Sequence, residues 1–216
     1  ARNVAMHAEL TPGAKRTERR DVLTPAQARR LLAALHGERL GPMFLLQLTT
    51  ALRPGEAAGV LWDDLDLKRN RLTVRHAVRL EKGRPVLTDE LKTAASYRTL
   101  SLPTATVAAL KAHKVHQATE RLAASRWEDD RLVFPSVNGR PLTPSNVRAE
   151  LARLCDKARV PVIAPNELRH TGASLLADAG VPLEVIADVM GHSSTRMLEQ
   201  TYRHRLRESV DRHLQV

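Results

Sequence analysis

Residues 165–172 read Pro-Asn-Glu-Leu-Arg-His-Thr-Gly, the stretch that most constrains the fold and chemistry of this chain. Proline is favoured at the first position of a helix, so the stretch predicts a helix over about Asn166–Ala179. A turn of about 100° per residue gives the helix two faces. One face carries Asn166, Arg169, His170 and Ala173, and the other carries Leu168, Gly172, Leu175 and Leu176.

We expect the leucine face of this helix to pack and the arginine face to point outward. A helix N-terminus binds anions readily, so Arg169 and Asn166 there suit a negatively charged ligand. On spacing alone, a surface ion pair of Arg169 with Glu167 or Asp178 is the better explanation. The helix by itself therefore leaves the role of Arg169 open.

An apolar stripe follows, with the spacing that a buried helix face requires. Its members are Leu183, Ile186, Ala187 and Met190. Gly191 is the expected C-cap of this helix, over Pro182–Met190, and His192 comes directly after it. A histidine at such a place is more often an ordinary surface residue. Tyr202, four residues after Leu198, is read alone as a partly buried packing residue.

Helical signals dominate the rest of the chain. Thr24-Pro25 predicts a capped helix over Ala26–Leu35, and apolar periodicity predicts further helices. These lie at about Pro42–Ala51, from Pro54 onward, along Val107, Leu110, Val115, Ala118 and Leu122, from Pro144 to about Lys157, after Ser194 and near Leu206–Leu214. Residues 1–21 form a basic arm that suits either contact with phosphates or a solvated tail.

Between the helices, the hydrophobic period changes to two. Alternation predicts a half-buried strand over Leu72–Val78 with a basic outer edge, and Val86–Thr88 and Tyr97–Leu102 are expected to pair with it. The predicted fold class is therefore mainly α with a small antiparallel β-sheet (α+β).

The formal net charge of +10 favours a polyanionic partner, although charge alone gives nucleic acid only about even odds. An aromatic content of 3% argues against a binder that stacks single-stranded bases, so backbone contacts to duplex DNA fit better. No apolar run reaches the length of a membrane span, and no secretory signal is present, so we expect a cytoplasmic protein without membrane contact. The single Cys155 is expected to be packed rather than reactive.

Arg53, Lys92, Arg169, His192 and Tyr202 together suit phosphodiester chemistry. Two arginines can clamp the non-bridging oxygens through forked hydrogen bonds. A tyrosine hydroxyl can attack phosphorus, and a lysine can protonate the leaving alkoxide. This set needs neither cofactor nor metal. His113 and His116 are three residues apart on a predicted helix, but no clustered cysteine or carboxylate completes a zinc site.

In their order and spacing these motifs resemble the catalytic domain of the tyrosine recombinase (phage integrase) family. Leu52-Arg53-Pro54-Gly55-Glu56 is similar to the first arginine box, and Leu91-Lys92-Thr93 to the lysine of the β-hairpin. Leu168-Arg169-His170-Thr171 is similar to the second arginine box, Leu183–His192 to the helix that ends in Gly-His, and Tyr202-Arg203-His204 to the nucleophile box. The likeness covers nearly the whole chain from about residue 22.

The resemblance implies a site-specific recombinase or integrase of a mobile element, which cuts and rejoins duplex DNA through a 3′-phosphotyrosyl intermediate. Residues 22–216 are expected to be the catalytic domain, without the N-terminal core-binding domain of the family. The resemblance also implies a homotetramer on DNA, with Leu206–Val216 docking on a neighbouring subunit, although packing on its own domain is an equal alternative.

One position departs from the family pattern. The second arginine box usually reads His-x-x-Arg, whereas Asn166 lies three residues before Arg169. An asparagine can hydrogen-bond a phosphate but cannot exchange a proton near neutral pH. A DNA-binding accessory protein with impaired cleavage is therefore one alternative function, and a type IB topoisomerase is another. An accidental match in an unrelated basic helical protein is the least favoured.

Overall fold

The computed structural model describes residues 22–191, which form helices and two small antiparallel sheets. The helices are α1 (Pro25–Leu35), α2 (Gly41–Thr50), α3 (Pro54–Ala58), α4 (Thr104–Ala123), α5 (Pro144–Lys157), α6 (Pro165–Asp178) and α7 (Leu183–Met190). The strands are β1 (Leu65–Asp66), β2 (Arg71–Val74), β3 (Ala77–Glu81), β4 (Arg84–Thr88) and β5 (Arg98–Ser101). The arm at 1–21 and the short helices expected after Ser194 and at Leu206–Leu214 lie outside the described residues.

The helix boundaries follow local signals that the sequence carries. Thr24 and Gln27 form a reciprocal capping box at the start of α1, with Pro25 at its first position. The Thr143 hydroxyl accepts a hydrogen bond from the Asn146 amide at the start of α5. Gly191 ends α7 in the left-handed conformation, with φ of 64°. The predicted starts of α1 and α5 and the predicted end of α7 are confirmed.

The strand prediction is wrong in one respect, because the single strand expected over Leu72–Val78 is two strands in different sheets. Strand β2 pairs with β1 and β5 in the order β1-β2-β5, whereas β3 and β4 form a separate hairpin. The break falls at Arg75 and His76, which both turn to the buried Asp64. Arg75 Nε donates to Asp64 Oδ1 at 3.0 Å, and His76 Nδ1 lies 2.9 Å from Asp64 Oδ2.

Helix α4 buries the expected face only in its first half. Val107 and Leu110 are buried, but Val115 and Leu122 are 71% and 87% exposed. Polar side chains take the inner positions instead. His113 Nε2 lies 2.7 Å from the Val133 carbonyl, and the Gln117 amide donates to the Leu132 and Val133 carbonyls at 2.9 and 3.0 Å. They can be buried because they satisfy backbone groups that would otherwise lack partners.

The main core lies between the helices and the three-stranded sheet. Its largest fully buried side chains include Phe44, Phe134, Leu31, Leu72, Leu110 and Leu151. Cys155 is part of this core, as expected, and burial raises the pKa of its thiol. Within residues 22–191, no helix has the length and apolar character needed to cross a bilayer.

Close packing of α6 on α2 brings the segment that carries Arg169 close to the segment that carries Arg53. A Cβ atom on Gly172 would lie 2.3 Å from the Leu48 carbonyl oxygen, so only glycine permits this approach. A smaller apolar cluster, with Ala51, Ala173, Ala177, Ile186 and Met190, then fixes α7 against α6. These contacts place the end of α7 beside α3 and α6.

Candidate functional site

Arg53 caps the start of α3, between two helices of the core. Its guanidinium donates to Glu56 Oε1 at 2.6 Å, to the Ser96 hydroxyl at 3.0 Å and to the Gly191 carbonyl at 3.0 Å. The Arg53 amide also donates to Glu56 Oε2 at 3.1 Å. Both the backbone and the side chain of Arg53 are thus tied to one carboxylate.

Arg169 reaches the same place from α6. Its side chain is buried, at 4% exposure, and one guanidinium nitrogen donates to the Met190 carbonyl at 2.8 Å. The expectation that this face of α6 points outward is therefore wrong for Arg169, whose burial does not suit a surface ion pair, whereas Asn166 on the same face is exposed. Helix α7 covers the face, which buries Ala173 completely, whereas Leu175 and Leu176 on the opposite face are only partly buried.

The two arginines converge on adjacent backbone carbonyls at the C-terminal end of α7. Arg53 binds Gly191 and Arg169 binds Met190, although the two arginines are far apart along the chain. Carbonyls at this end of a helix carry partial negative charge and need donors. The helix end therefore holds both guanidinium groups close together, the arrangement that an anion with several oxygens requires.

A third arginine, Arg98 on β5, belongs to the same cluster and was missed by the sequence analysis. Its Nε donates to the Val189 carbonyl at 2.7 Å, and its two terminal nitrogens donate to the Ser96 carbonyl at 2.8 Å and to Glu56 Oε2 at 3.0 Å. The available signal was its position two residues before Leu100, which places Arg98 on the inward-facing side of the strand. Its hydrogen-bond partners lie on other elements and could not be predicted from this position.

Glu56 is the acidic residue of the cluster, and only 3% of it is exposed. Burial raises the pKa of this carboxyl group, but the charge and hydrogen bond of Arg98, with the hydrogen bond and charge of Arg53, outweigh that effect. The pKa of Glu56 is consequently held below its ordinary value of 4.5. The group is ionised near neutral pH and balances one of the positive charges around it.

Lys92 and Asn166 are at the surface. Lys92 is exposed in the loop between β4 and β5, and Asn166 is exposed in the first turn of α6. The loop of Lys92 is tied to Arg53 through Ser96, whose hydroxyl also lies 3.0 Å from that of Thr93. His192 and Tyr202 lie outside the described residues, so the structure brings together two of the predicted site residues and leaves the others as predictions.

The histidines considered for zinc have other partners. His113 lies against Val133, and His116 Nδ1 lies 3.7 Å from Glu120. In the part of the chain that the structure describes, no group of three histidine, cysteine or acidic side chains could hold a metal ion.

Sequence comparison identifies relatives of this chain. The model of the phage integrase family matches residues 21–209. An integrase of Streptomyces ambofaciens is 37% identical over 201 residues, which cover 87% of this chain and 50% of that protein. A XerC-like tyrosine recombinase of Caldanaerobacter subterraneus subsp. tengcongensis is 32% identical over 206 residues, which cover 90% and 53%. The chain thus spans about half the length of these curated relatives.

Solved structures share the fold. The Tn1549 transposon integrase, in complex with transposon right end DNA, matches with a TM-score of 0.73 at 24% identity, covering 93% of this chain and 68% of that one. The XerA recombinase matches with a TM-score of 0.70 at 22% identity, covering 94% and 66%. The expected catalytic fold, mostly helical with small antiparallel sheets, is confirmed.

Proposed function

This chain belongs to the phage integrase family of tyrosine recombinases, and we propose that it is the catalytic part of a site-specific DNA recombinase. It would cut and rejoin duplex DNA for a mobile element in the cytoplasm. The observation that carries the proposal is the convergence of Arg53 and Arg169 on the end of α7.

The scissile phosphate would bind beside the two arginines. Its transition state carries more negative charge than its ground state, so fixed cations accelerate the reaction rather than merely bind the DNA. The carbonyls of Met190 and Gly191 and the carboxylate of Glu56 support this role because they hold the guanidinium groups in place before DNA arrives.

The remaining steps use the predicted residues Tyr202, Lys92 and His192. The Tyr202 oxygen attacks phosphorus and loses its proton to a local acceptor, which forms a 3′-phosphotyrosyl bond and breaks the bond to the 5′ oxygen. Lys92 gives a proton to that oxygen, and His192 hydrogen-bonds the phosphate. Attack by a new 5′-hydroxyl reverses the steps and releases the tyrosine. The covalent bond conserves the phosphodiester energy, so rejoining needs no ATP.

Covalent trapping tests this function. The substrates are a library of duplexes, each nicked beside a candidate cleavage position. Cleavage of such a duplex releases a short strand, and the protein stays covalently attached to the remaining DNA. We expect a denaturation-resistant adduct with the full chain, and none with Tyr202→Phe. An adduct that persists in Tyr202→Phe, or no adduct across the library, would overturn the proposal.

Asn166 supports a second candidate, a DNA-binding accessory protein that does not cut. The residue is exposed in the first turn of α6, where the family motif has histidine, and an amide cannot transfer a proton near neutral pH. Retention of duplex in a gel-shift assay, without adduct in the trapping assay, is the outcome expected for this candidate.

The proposed partner is double-stranded DNA, bound by a homotetramer. Leu206–Val216 would join its subunits by docking on a neighbouring one. Sedimentation of the full chain on two-site DNA, compared with a chain ending at residue 205, tests the assembly. Equal sedimentation of both chains would remove that segment from the proposal.

A further inference from the structure

Three successive carbonyls at the end of α7 each receive an arginine from a different element. Val189 accepts from Arg98 on β5 at 2.7 Å, Met190 from Arg169 on α6 at 2.8 Å, and Gly191 from Arg53 before α3 at 3.0 Å. Two of these arginines are the proposed phosphate ligands. Arg98 has no role in the function proposed above.

Arg98 shares its partners with Arg53. Both donate to Glu56, one to each carboxylate oxygen, and both donate to Ser96, one to its carbonyl and one to its hydroxyl. Both also bind the end of α7. Arg98 therefore binds two of the three residues that fix the Arg53 guanidinium, Glu56 and Ser96, and it binds the helix end two residues before the third, Gly191.

The Arg98 side chain is poorly placed to bind DNA itself. Each of its three nitrogens donates to a protein acceptor, and its side chain is only 9% exposed. Removing it would leave the buried Glu56 with one arginine partner fewer. Removing one partner of a buried charge is costly, so we expect Glu56 and its remaining partner Arg53 to shift.

We propose that Arg98 is a positioning residue for strand cleavage, one that locks the end of α7 and the Lys92 loop onto Glu56 and so sets the spacing of Arg53 and Arg169. This inference rests on the proposed function. Its physical basis is that a displacement of about 1 Å at a reacting group can slow a reaction by about 10²-fold.

The first measurement is single-turnover adduct formation on a duplex selected from the library. We expect Arg98→Met to slow cleavage by about 10²-fold, because the substitution removes both the charge and the hydrogen-bond donors of the guanidinium group. Arg98→Lys should slow it by about tenfold, since lysine retains the charge but not the planar fork that bridges several acceptors.

Arg39→Met is the matched control, because Arg39, like Arg98, joins a carboxylate to a backbone carbonyl, here those of Glu120 and Pro135. These partners are remote from the end of α7, so this variant should cleave at the wild-type rate. A loss in Arg39→Met equal to that in Arg98→Met would mean that any lost ion pair slows the protein, and the inference would fail.

The second measurement replaces one non-bridging oxygen of the scissile phosphate with a methyl group. The neutral methylphosphonate develops less negative charge in the transition state and so depends less on positioned cations. The rate ratio of phosphodiester to methylphosphonate should therefore fall by roughly tenfold or more in Arg98→Met. Partial unfolding cannot mimic this result, because the folded fraction affects both rates equally and cancels in the ratio.

An unchanged ratio in both Arg98→Met and Arg98→Lys would overturn the positioning role and leave Arg98 as a structural residue. Failure of the proposed function is separate, because the wild-type chain would then form no adduct with any duplex. If Arg98→Met does not fold, Arg98→Lys, which retains the charge beside Glu56, decides the question by the same ratio.

Discussion

At the scale of single residues, the charge balance around Glu56 explains why a buried acidic side chain is compatible with an anion site. A buried ion pair adds little stability relative to apolar residues, but breaking one partner of an existing pair is strongly destabilising. Glu56 forms ion pairs with both Arg53 and Arg98, so its negative charge stabilises both guanidinium groups. Its contribution here is the orientation of two cations.

The Glu56→Gln variant tests this balance. We expect a loss of about 3 kcal/mol in the free energy of unfolding at pH 7, because two arginines lose the buried carboxylate that balances their charge. The folded-state pKa of Glu56 lies below 4.5, so its stabilising contribution is complete above that value and is lost as the pH falls through the folded pKa.

Urea unfolding of both proteins between pH 7 and pH 3 provides the measurement. The difference between wild type and Glu56→Gln should shrink as the pH falls below 4.5. A constant difference across that range would show that the charge of Glu56 does not contribute.

Asn166→His restores the residue type that the family motif carries. If a proton acceptor at this position assists attack by Tyr202, cleavage should become faster by roughly tenfold or more. The rate should also gain a pH dependence centred near the ordinary histidine value of about 6.5. Adduct formation measured from pH 5 to pH 9 checks both, with Tyr202→Phe in the same background as the blank. Equal rates would mean that position 166 only orients the phosphate.

At the scale of elements, the packing of α6 places Arg169. Gly172 lies directly against the backbone of α2, and α7 then covers the side that carries Arg169. The helix can bury an arginine on this side because the end of α7 supplies a carbonyl that accepts a hydrogen bond from it. The position of α6 therefore decides where the guanidinium lies.

Gly172→Ala separates helix propensity from packing. Propensity alone would stabilise α6 by about 1 kcal/mol. The new Cβ atom, however, would lie 2.3 Å from a backbone oxygen that cannot rotate away. We expect the cost of overpacking to exceed the gain in helix propensity, so that the free energy of unfolding falls by about 2 kcal/mol. Thermal unfolding gives the sign, and a stabilised variant would contradict the close contact between α2 and α6.

His113 on α4 gives a second test of packing at this scale. Burial, despite the hydrogen bond to Val133, lowers the pKa of His113 below its ordinary value of 6.5. The unfolded chain therefore binds the proton more readily, and stability should decline as the pH falls from about 6.5 towards the folded pKa.

His113→Gln should flatten that decline, whereas His116→Gln is the control because His116 is 59% exposed. Chemical unfolding of the three proteins at pH 7.5 and pH 5.5 makes the comparison. An equal decline in all three would exclude His113 as its source.

At the scale of the whole molecule, the net charge of +10 would act through the DNA backbone in the proposed function. A protein that neutralises phosphates releases counterions, so its affinity falls steeply with salt. Cleavage by the tyrosine mechanism requires positioned side chains rather than a metal ion.

Two measurements on the full chain follow from that. EDTA should leave the rate of adduct formation unchanged, and a rate abolished by EDTA would end the metal-free mechanism. Duplex affinity should fall by about 10³-fold or more between 50 and 200 mM salt, if about six or more phosphates are contacted. A flat salt dependence in fluorescence anisotropy would exclude backbone contacts as the main source of binding.

The sequence by itself determined the features that depend on neighbouring residues. Thr24, Thr143 and Gly191 mark helix ends because capping and backbone conformation are local properties. The motifs around Arg53 and Arg169 were recognisable because their order is written along the chain, and the family that they resemble is confirmed.

Only the tertiary structure decided which side chains are buried and what they touch. Arg169 is buried because α7 covers it. His113 is buried because the Val133 carbonyl, 20 residues away along the chain, forms a hydrogen bond with its ring. Arg98 joined the site for the same reason, since Val189 and Glu56 come from other elements. Periodicity assigns polar side chains to the surface, whereas a polar side chain is buried wherever the fold supplies its hydrogen-bond partner.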